Sequence, residues 1–588
     1  MTRPSVVSAV LALGLVATPA HAAAAPGGDT EVTVGSDHRY FSANTQNQPG
    51  LAVDPADTDV LVAGADDDID LEWCAAGDPR TCPSTPGVGV SGVQFSFDSG
   101  ETWVQPTYTG LTARTDACRP PATSGDNPPC EPEIGPIGTI PWYHENGLVS
   151  GGSPELVFGP VPDDDGSFAW DNGHRLYYAN TATRLDEDAD RGERVVAVSR
   201  TDDVDAAASG DEDAWMDPVL VTGPDHAPLA GTEQIWADNA ESSPYFGTVY
   251  VCDVGDRGAG GSEPVLLARS TDAGDTWTTR QLTPATTSPR TAGPRGCAVR
   301  TDSEGVVYVV WSGDDTRRST GAVYQSRSTD GGRTFERPRV IADTAGIGRL
   351  DPVQERFTID GVAGARTAVL PSLDIANGAP YGNSSTDGDA TDEIVLVWSD
   401  DSSGTGEETA WIIRSGDGGD TYTEKAAVSV AGDRADQPAV AIAPNGGHVY
   451  VSYGAFLQPW QPTTAEPRMM QGVVTYVTPD GSVTEVHRGV AGDARGSSTH
   501  RLTAQSPGDH GDAVATREWG YAVWDDMRGA AACDEVDAYR QAYLEDVTGG
   551  AASDGLRPAP NSACPQGGAT AFGNTGVRGA RVVPPTLP

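Results

Sequence analysis

Carboxylates are the residues of this chain with the most chemistry to offer. Two of them facing each other across a narrow space can hydrolyse a glycosidic bond, one as acid and the other as base or nucleophile. Polar connections supply candidates: Glu145 in "WYHENG", Glu233 and Asp238 in "GTEQIWADN", and Asp509, His510 and Asp512 in "PGDHGD". Glu145, Glu233 and Asp238 are taken as the catalytic set. Trp236 offers a ring on which a sugar can stack, and Arg295 in "GPRGC" and Arg356 in "QERFTID" offer guanidinium donors. Further acids follow apolar runs: Asp66 to Asp68 in "GADDDID", Asp253 and Asp256 in "CDVGD", Asp314 and Asp315 in "WSGDD", Asp400 and Asp401 in "WSDD", Asp525 and Asp526 in "WDDMR". Oxygen donors of this kind suit calcium, with Asp66 and Asp68 as the metal pair, or a polyhydroxy ligand reached by Asp400, Asp525 and Arg528. The plainer reading is that such acids are solvated loop residues and that the Trp and His residues pack under loops. Asp387, Asp389 and Asp392 in "STDGDATDE" have a calcium-loop flavour without the full ligand spacing. Neither a Gly-x-Ser-x-Gly elbow nor a His-Glu-x-x-His helix occurs.

The elements that must position these residues are strands. Short β-rich runs alternate with Gly, Pro, Asp and Asn clusters, and 71 glycines and 44 prolines leave little room for helices. Seven runs, "PGLAVD", "PELVFG", "EQIWAD", "GCAVRTD", "AVLPSLDI", "QPAVAIAP" and "GDAVATR", are each followed by a stronger one: "DVLVAGA", "HRLYYAN", "GTVYVCD", "GVVYVVWS", "EIVLVWS", "GHVYVSYG" and "WGYAVWD". Repetition of this kind marks a repeat architecture. A second signal recurs with it. "SFDSGETW" from Ser96, "STDAGDTW" from Ser270, "STDGGRTF" from Ser328 and "SGDGGDTY" from Ser415 share Ser-x-Asp-x-Gly-x-Thr-aromatic. Asp98, Asp272, Asp330 and Asp417 can accept turn N–H groups, the glycine can take positive φ, and the aromatic can pack on the sheet. These four acids are therefore structural.

The four copies resemble Asp-boxes, the repeats of the bacterial neuraminidase (sialidase) superfamily and other β-propellers. The resemblance implies an all-β propeller of four-stranded antiparallel blades, with each box in the hairpin between third and fourth strands. Sialidases resemble six-bladed rings, whereas the repeat count here favours seven. It also implies that ligands meet the opposite face, where second-to-third loops and blade links converge and where the acids above would form a funnel. The implied activity is that of a secreted exo-acting glycoside hydrolase, exo-α-sialidase-like, acting on an extracellular glycan or glycoconjugate. The alternative is a non-catalytic glycan- or protein-binding propeller, in one version calcium-dependent. The family's early Arg-Ile-Pro signature is replaced by Asn47, Gln48 and Pro49, and "ADQPAVAI" echoes that stretch. Arg295, Arg356 and Arg366 are the available substitutes for its carboxylate clamp.

Composition sets the outer limits. Arg3, an apolar run from Val6 to Val16 and small residues at Ala20 and Ala22 predict a signal peptide over 1–22, a flexible 23–30, a propeller over 31–550 and a disulfide-tethered segment over 551–588. The outer strand of the last blade is expected from "EVTVGSDHRY", with the others between about Gly511 and Glu545. Eight cysteines fit an oxidising compartment, and nearest neighbours suggest Cys74–Cys82, Cys118–Cys130, Cys252–Cys297 and Cys533–Cys564. Net charge is −46 with Lys425 the sole lysine, which excludes a nucleic-acid binder. No later run is long enough to span a bilayer, no motif demands a cofactor beyond the calcium weighed above, and a monomer is expected.

Overall fold

Each of the seven stronger apolar runs is the second strand of its own sheet, and the weaker run before it is the first. A computed structural model describes residues 28–35, 40–74, 85–118, 130–185, 194–221, 233–254, 264–284, 293–315, 320–351, 356–380, 389–404, 406–540, 564 and 571–585. It shows a seven-bladed β-propeller of antiparallel sheets. Blade one is Gln46–Val53, Leu61–Asp67 and Ser91–Ser96, with Phe95 bridged to Val104 where a fourth strand would run. Blade two is Glu155–Pro162, Phe168–Arg184, Arg194–Thr201 and Trp215–Val221; blade three is Gln234–Ala237, Val249–Val254, Val265–Ser270 and Thr278–Gln281. Blade four is Arg295–Thr301, Val307–Asp315, Thr320–Ser328 and Arg339–Thr344; blade five is Ser372–Ile375, Ile394–Asp400, Thr409–Ser415 and Ala426–Ala427. Blade six is Arg434–Ile442, Val449–Phe456, Met469–Val477 and Val483–Arg488.

Blade seven closes the ring with both chain ends. Its strands are Asp512–Ala515, Gly520–Asp526, Gly576–Val582 and Thr30–Glu31, with Thr30 paired to Gly579 and Glu31 to Arg578. The outer strand comes from the N-terminal stretch as the sequence suggested. The third comes from the stretch set apart at 551–588, because residues 527–575 are inserted between second and third strands. Closure satisfies an edge that would otherwise expose a row of backbone groups.

Strands are buried on both faces because each blade is sandwiched between two others, and continuous apolar runs result. Leu373 and Leu396 of blade five pack with Ala298 and Val310 of blade four, and Val157 and Tyr177 of blade two with Val251 and Leu266 of blade three. The core is thus a ring of layers between blades. Disulfides join Cys118 to Cys130, Cys252 to Cys297 and Cys533 to Cys564. The Cys82 half of the fourth expected pair lies outside the described residues.

The four Ser-x-Asp-x-Gly-x-Thr turns are near-identical, and each follows a third strand. In blade three Asp272 accepts the Thr276 amide at 2.9 Å and the Ser270 hydroxyl at 2.7 Å, and Ser270 accepts the Gly274 amide at 2.9 Å. The same bonds form around Asp98, Asp330 and Asp417. Burial pushes Asp272 up, and its Thr276 and Ser270 bonds outweigh that and hold it low. Ser99 of the first turn binds Asp59, in the first-to-second connection, so those two sets of loops share a face.

Candidate functional site

The opposite face is built by the way each inner strand begins. Gln48, Ser153 and Gln437, each followed by proline, have φ of 54°, 52° and 57°, and Gly296 has 52°. Pairing with the second strand skips at three of these points, after Asn47, Arg295 and Asp436. Such bulges bend the strand and turn its first side chains toward the axis. Deeper in, the inner strands present unpaired edge N–H groups to the channel, and the neighbouring blade supplies the acceptors. Gln234 takes Val299 N–H at 3.1 Å, Asp374 takes Ile442 N–H at 2.8 Å, and Asp512 takes Leu51 N–H at 2.8 Å.

At the mouth these devices gather acids from several blades. Glu155 of blade two, Glu233 of blade three, and His510 and Asp512 of blade seven line one cavity open to solvent. Asp66, Asp436, Asp509 and Asp525 stand around it. Asp66 accepts the Ser153 N–H, Asp525 the Gln48 N–H at 2.8 Å, and Asp436 the Thr367 hydroxyl at 2.7 Å. Burial pushes Asp66 up to about 8 and Asp436 up to about 7, and it raises Asp525 and Glu233 strongly. Glu155 and Asp512 are a coupled pair. Burial raises both, and the negative charge of Asp512 pushes Glu155 further, to about 8 against about 6 for Asp512. The pair therefore titrates at raised pH, over about 6 to 8.

Asp509 and His510 are the exception to this uphill trend. Burial pushes Asp509 up, but Arg366 at 2.9 Å, His510 at 3.1 Å and the Gln48 amide at 2.7 Å outweigh it and hold the carboxyl well below its usual range. Burial lowers His510, yet Asp509 and the surrounding acids raise it to about 9. Arg366 belongs to the long link between blades four and five. That link reaches across the mouth, since Thr367 touches blade six, Arg366 touches Asp509, and Arg349 lies 4.7 Å over the ring of Trp460.

The residues chosen from sequence are placed as follows. Glu145 is exposed on the turn His144–Asn146, whose neighbours Trp142 and Asn146 bind Glu212 and Asp217 at the outer edge of blade two. Glu233 lies at the mouth, accepting the Thr181 hydroxyl at 3.0 Å. Asp238 is at the other end of the same strand, where it accepts the Ser243 hydroxyl at 2.6 Å. Five residues of strand separate the two by about 16 Å, beyond the ~5–9.5 Å that glycosidase carboxyls need. The three catalytic candidates therefore do not converge, because the sequence shows that a residue adjoins a strand but not at which end.

Trp236 donates to Thr301 at 2.9 Å and is covered by Arg300 at 4.4 Å, so its ring is engaged within the wall. Arg295 lies 5.8 Å over Phe357 beside a separate side cavity, and the Arg356 side chain lies outside the described residues. Asp400 accepts from Trp398 and Trp411 at 2.9 and 3.0 Å and from Ser402 N–H at 2.8 Å, which makes it a blade corner. Arg528 is held by Asp29 and Asp526 at the closing seam. Of the proposed metal pair, Asp66 faces His510, Asp68 and Asp509, while Asp68 also faces His500 and Glu72. Among the described residues no group of three or more His, Cys, Asp or Glu side chains is arranged to hold a metal ion. Asp389 pairs with Arg517, Asp392 holds Ser303, and Asp387 lies outside the described residues.

Glu155 has only a faint signal in the sequence, an acid directly after Pro154 at the head of an inner strand. Asp512 was noted in "PGDHGD" without a partner, since its partner is 357 residues away in sequence.

No family model matches this chain, and no curated protein matches it. Among solved structures, it resembles a protein of unknown function from Dyadobacter fermentans, with 16% identity, 63% of this chain and 91% of that one covered, and a TM-score of 0.35. It also resembles an α-L-arabinofuranosidase from Fusarium graminearum (11% identity, 73% and 92% covered, TM-score 0.37). An intramolecular trans-sialidase from leech gives 12% identity, 74% and 67% covered, and a TM-score of 0.37. These likenesses extend to the fold alone.

Proposed function

We propose that the channel mouth binds a neutral glycan outside the cell and hydrolyses a glycosidic bond in it, with Glu155 as acid and Asp512 as base. The observation that carries this reading is the pair of buried carboxyls, Glu155 and Asp512, lining one open cavity, both raised by burial and Glu155 raised further by the charge of Asp512. Two carboxyls pushed apart in this way suit the acid and base of glycoside hydrolysis. Neutral substrate follows from charge. The cations beside the pair are engaged by carboxylates of their own, His510 by Asp509 and Arg300 by Asp374, which suits hydroxyls better than a sialic acid carboxylate. The disulfides fit an oxidising compartment, and no helix of the described residues is long and apolar enough to cross a membrane.

Release of sugar from a panel of neutral and sialylated glycosides tests the reading. Neutral substrates are expected to be cleaved, with a bell-shaped rate profile whose limbs fall near pH 6 and 8. Glu155→Gln and Asp512→Asn should each lower kcat by roughly 10²–10⁴-fold with little change in melting temperature. Turnover retained in both variants, or cleavage of sialosides only, would remove the pair from the site. One observation favours the binding-module reading: Asp512 also holds Leu51 N–H across the seam, a structural task. Binding on a glycan array without release of sugar would establish that reading, and loss of binding on chelation would establish its calcium-dependent version.

A further inference from the structure

The carboxyls assigned as acid and base belong to blades two and seven, and the head of blade one, Gln48, Pro49, Gly50 and Leu51, lies between those blades. This turn touches both sides. Toward blade seven the Leu51 N–H donates to Asp512 Oδ2 at 2.8 Å, while the Ala513 N–H takes Oδ1 at 2.8 Å. Toward blade two, Gly50 abuts the residue before Glu155 so closely that an added Cβ would lie 2.2 Å from the Pro154 carbonyl oxygen. Glycine keeps the turn narrow where two backbones meet. Gln48 anchors it. With φ of 54° it opens the bulge, in which pairing with the second strand stops after Asn47 and resumes at Gly50. Its N–H donates to Asp525 at 2.8 Å and its side-chain amide donates to Asp509 at 2.7 Å, the latter held in turn by Arg366 at 2.9 Å. Its amide oxygen accepts the Ser153 hydroxyl at 3.4 Å, two residues before Glu155.

We propose that Gln48 is a positioning residue for the acid–base pair: its bonds to Asp509 and Asp525 hold the turn 48–51 as a spacer of fixed width, with Leu51 N–H on Asp512 and Gly50 against the strand head that carries Glu155. This rests on the hydrolase reading above. Gln48 moves no proton itself. The separation of the two carboxyls decides whether a water fits beside the sugar, and a misplacement of about 1 Å can cost about a hundredfold in rate. A spacer tied on one side to blade seven and pressed on the other against blade two sets that separation.

Gln48→Gly keeps a residue at ease with positive φ and removes the side-chain amide, so the blade is expected to form. Its kcat on a neutral glycoside should fall roughly a hundredfold with KM nearly unchanged. A residue that only secured the blade would lower the melting temperature and leave kcat alone. A second readout needs no turnover. The Leu51 N–H favours the ionised form of Asp512, so once the turn slackens the Asp512 carboxyl carbon, followed by NMR, should titrate at higher pH than in the parent protein. Glu155, Arg300 and His510, the charged groups that face Asp512, are the same in both proteins, so the shift reports the loosened N–H. An Asp512 titration that stays in place overturns the proposal, and so does parent-level kcat in Gln48→Gly. A moved titration in a protein whose parent form releases no sugar overturns the hydrolase reading alone and leaves the hold of Gln48 on Asp512 standing.

Discussion

Asp272 and Glu155 are both acids beside strands, yet they differ in how much of their role the sequence displays. Every partner of Asp272 within its turn lies four residues away or fewer, so a short repeated pattern contains the whole bonding scheme. Replacing it with Ala should cost about 1 kcal/mol, as loss of a helix N-cap does, and leave any glycoside turnover unchanged; urea unfolding checks the first and the sugar assay the second. Glu155 has no local partner of this kind. It meets Asp512 only because blades two and seven both flank blade one, a relation invisible until the ring is closed. Glu145 and Asp238 stand away from Glu233 for a related reason. Adjacency to a strand was legible, but the end of the strand and its distance from the axis were not.

At the scale of strands the sequence was far more explicit. All seven inner and all seven second strands lie where the paired apolar runs put them, because a blade packed on both faces demands an unbroken apolar second strand. The third strand of blade seven was missed, since 49 residues intervene after Asp526 and the strand "GVRGARV" is short and mixed in character. Contacts between blades can be tested one seam at a time. Gly100, with φ of 84°, sits so close to blade seven that an added Cβ would lie 2.0 Å from the Tyr521 ring. Gly100→Ala should therefore destabilise by about 2–3 kcal/mol, seen as an earlier thermal transition. Cys252 and Cys297 tie blade three to blade four across 45 residues, and replacing both with Ala should lose about 2–4 kcal/mol in chemical unfolding.

Across the whole molecule, charge and closure dominate. Net charge of −46 is carried by a fold that also buries acids it must keep protonated. Burial raises Asp66 to about 8 and Asp70 and Asp436 to about 7 from an ordinary 3.8, so the folded state holds these protons more tightly than the unfolded chain. That contribution is complete below about pH 4 and is lost as pH rises through 7 to 8. The Thr421 hydroxyl and amide hold Asp417 down to about 2, so its contribution is present above about pH 4 and is lost as pH falls through 2. Melting temperatures from pH 2 to 9 should therefore peak on the mildly acidic side of neutrality and decline toward pH 9.

The closing blade adds a constraint on biosynthesis. Among the strands of the ring its fourth comes first in the sequence and its third comes after all the rest, so a growing chain is an open arc until residues 576–582 emerge. Six sheets can form in order behind the ribosome, but Thr30–Glu31 has to wait for a partner that follows all the other strands. A transcript cut short before Gly576 should yield an arc that stays protease-sensitive, whereas adding those few residues back should latch the circle in one step.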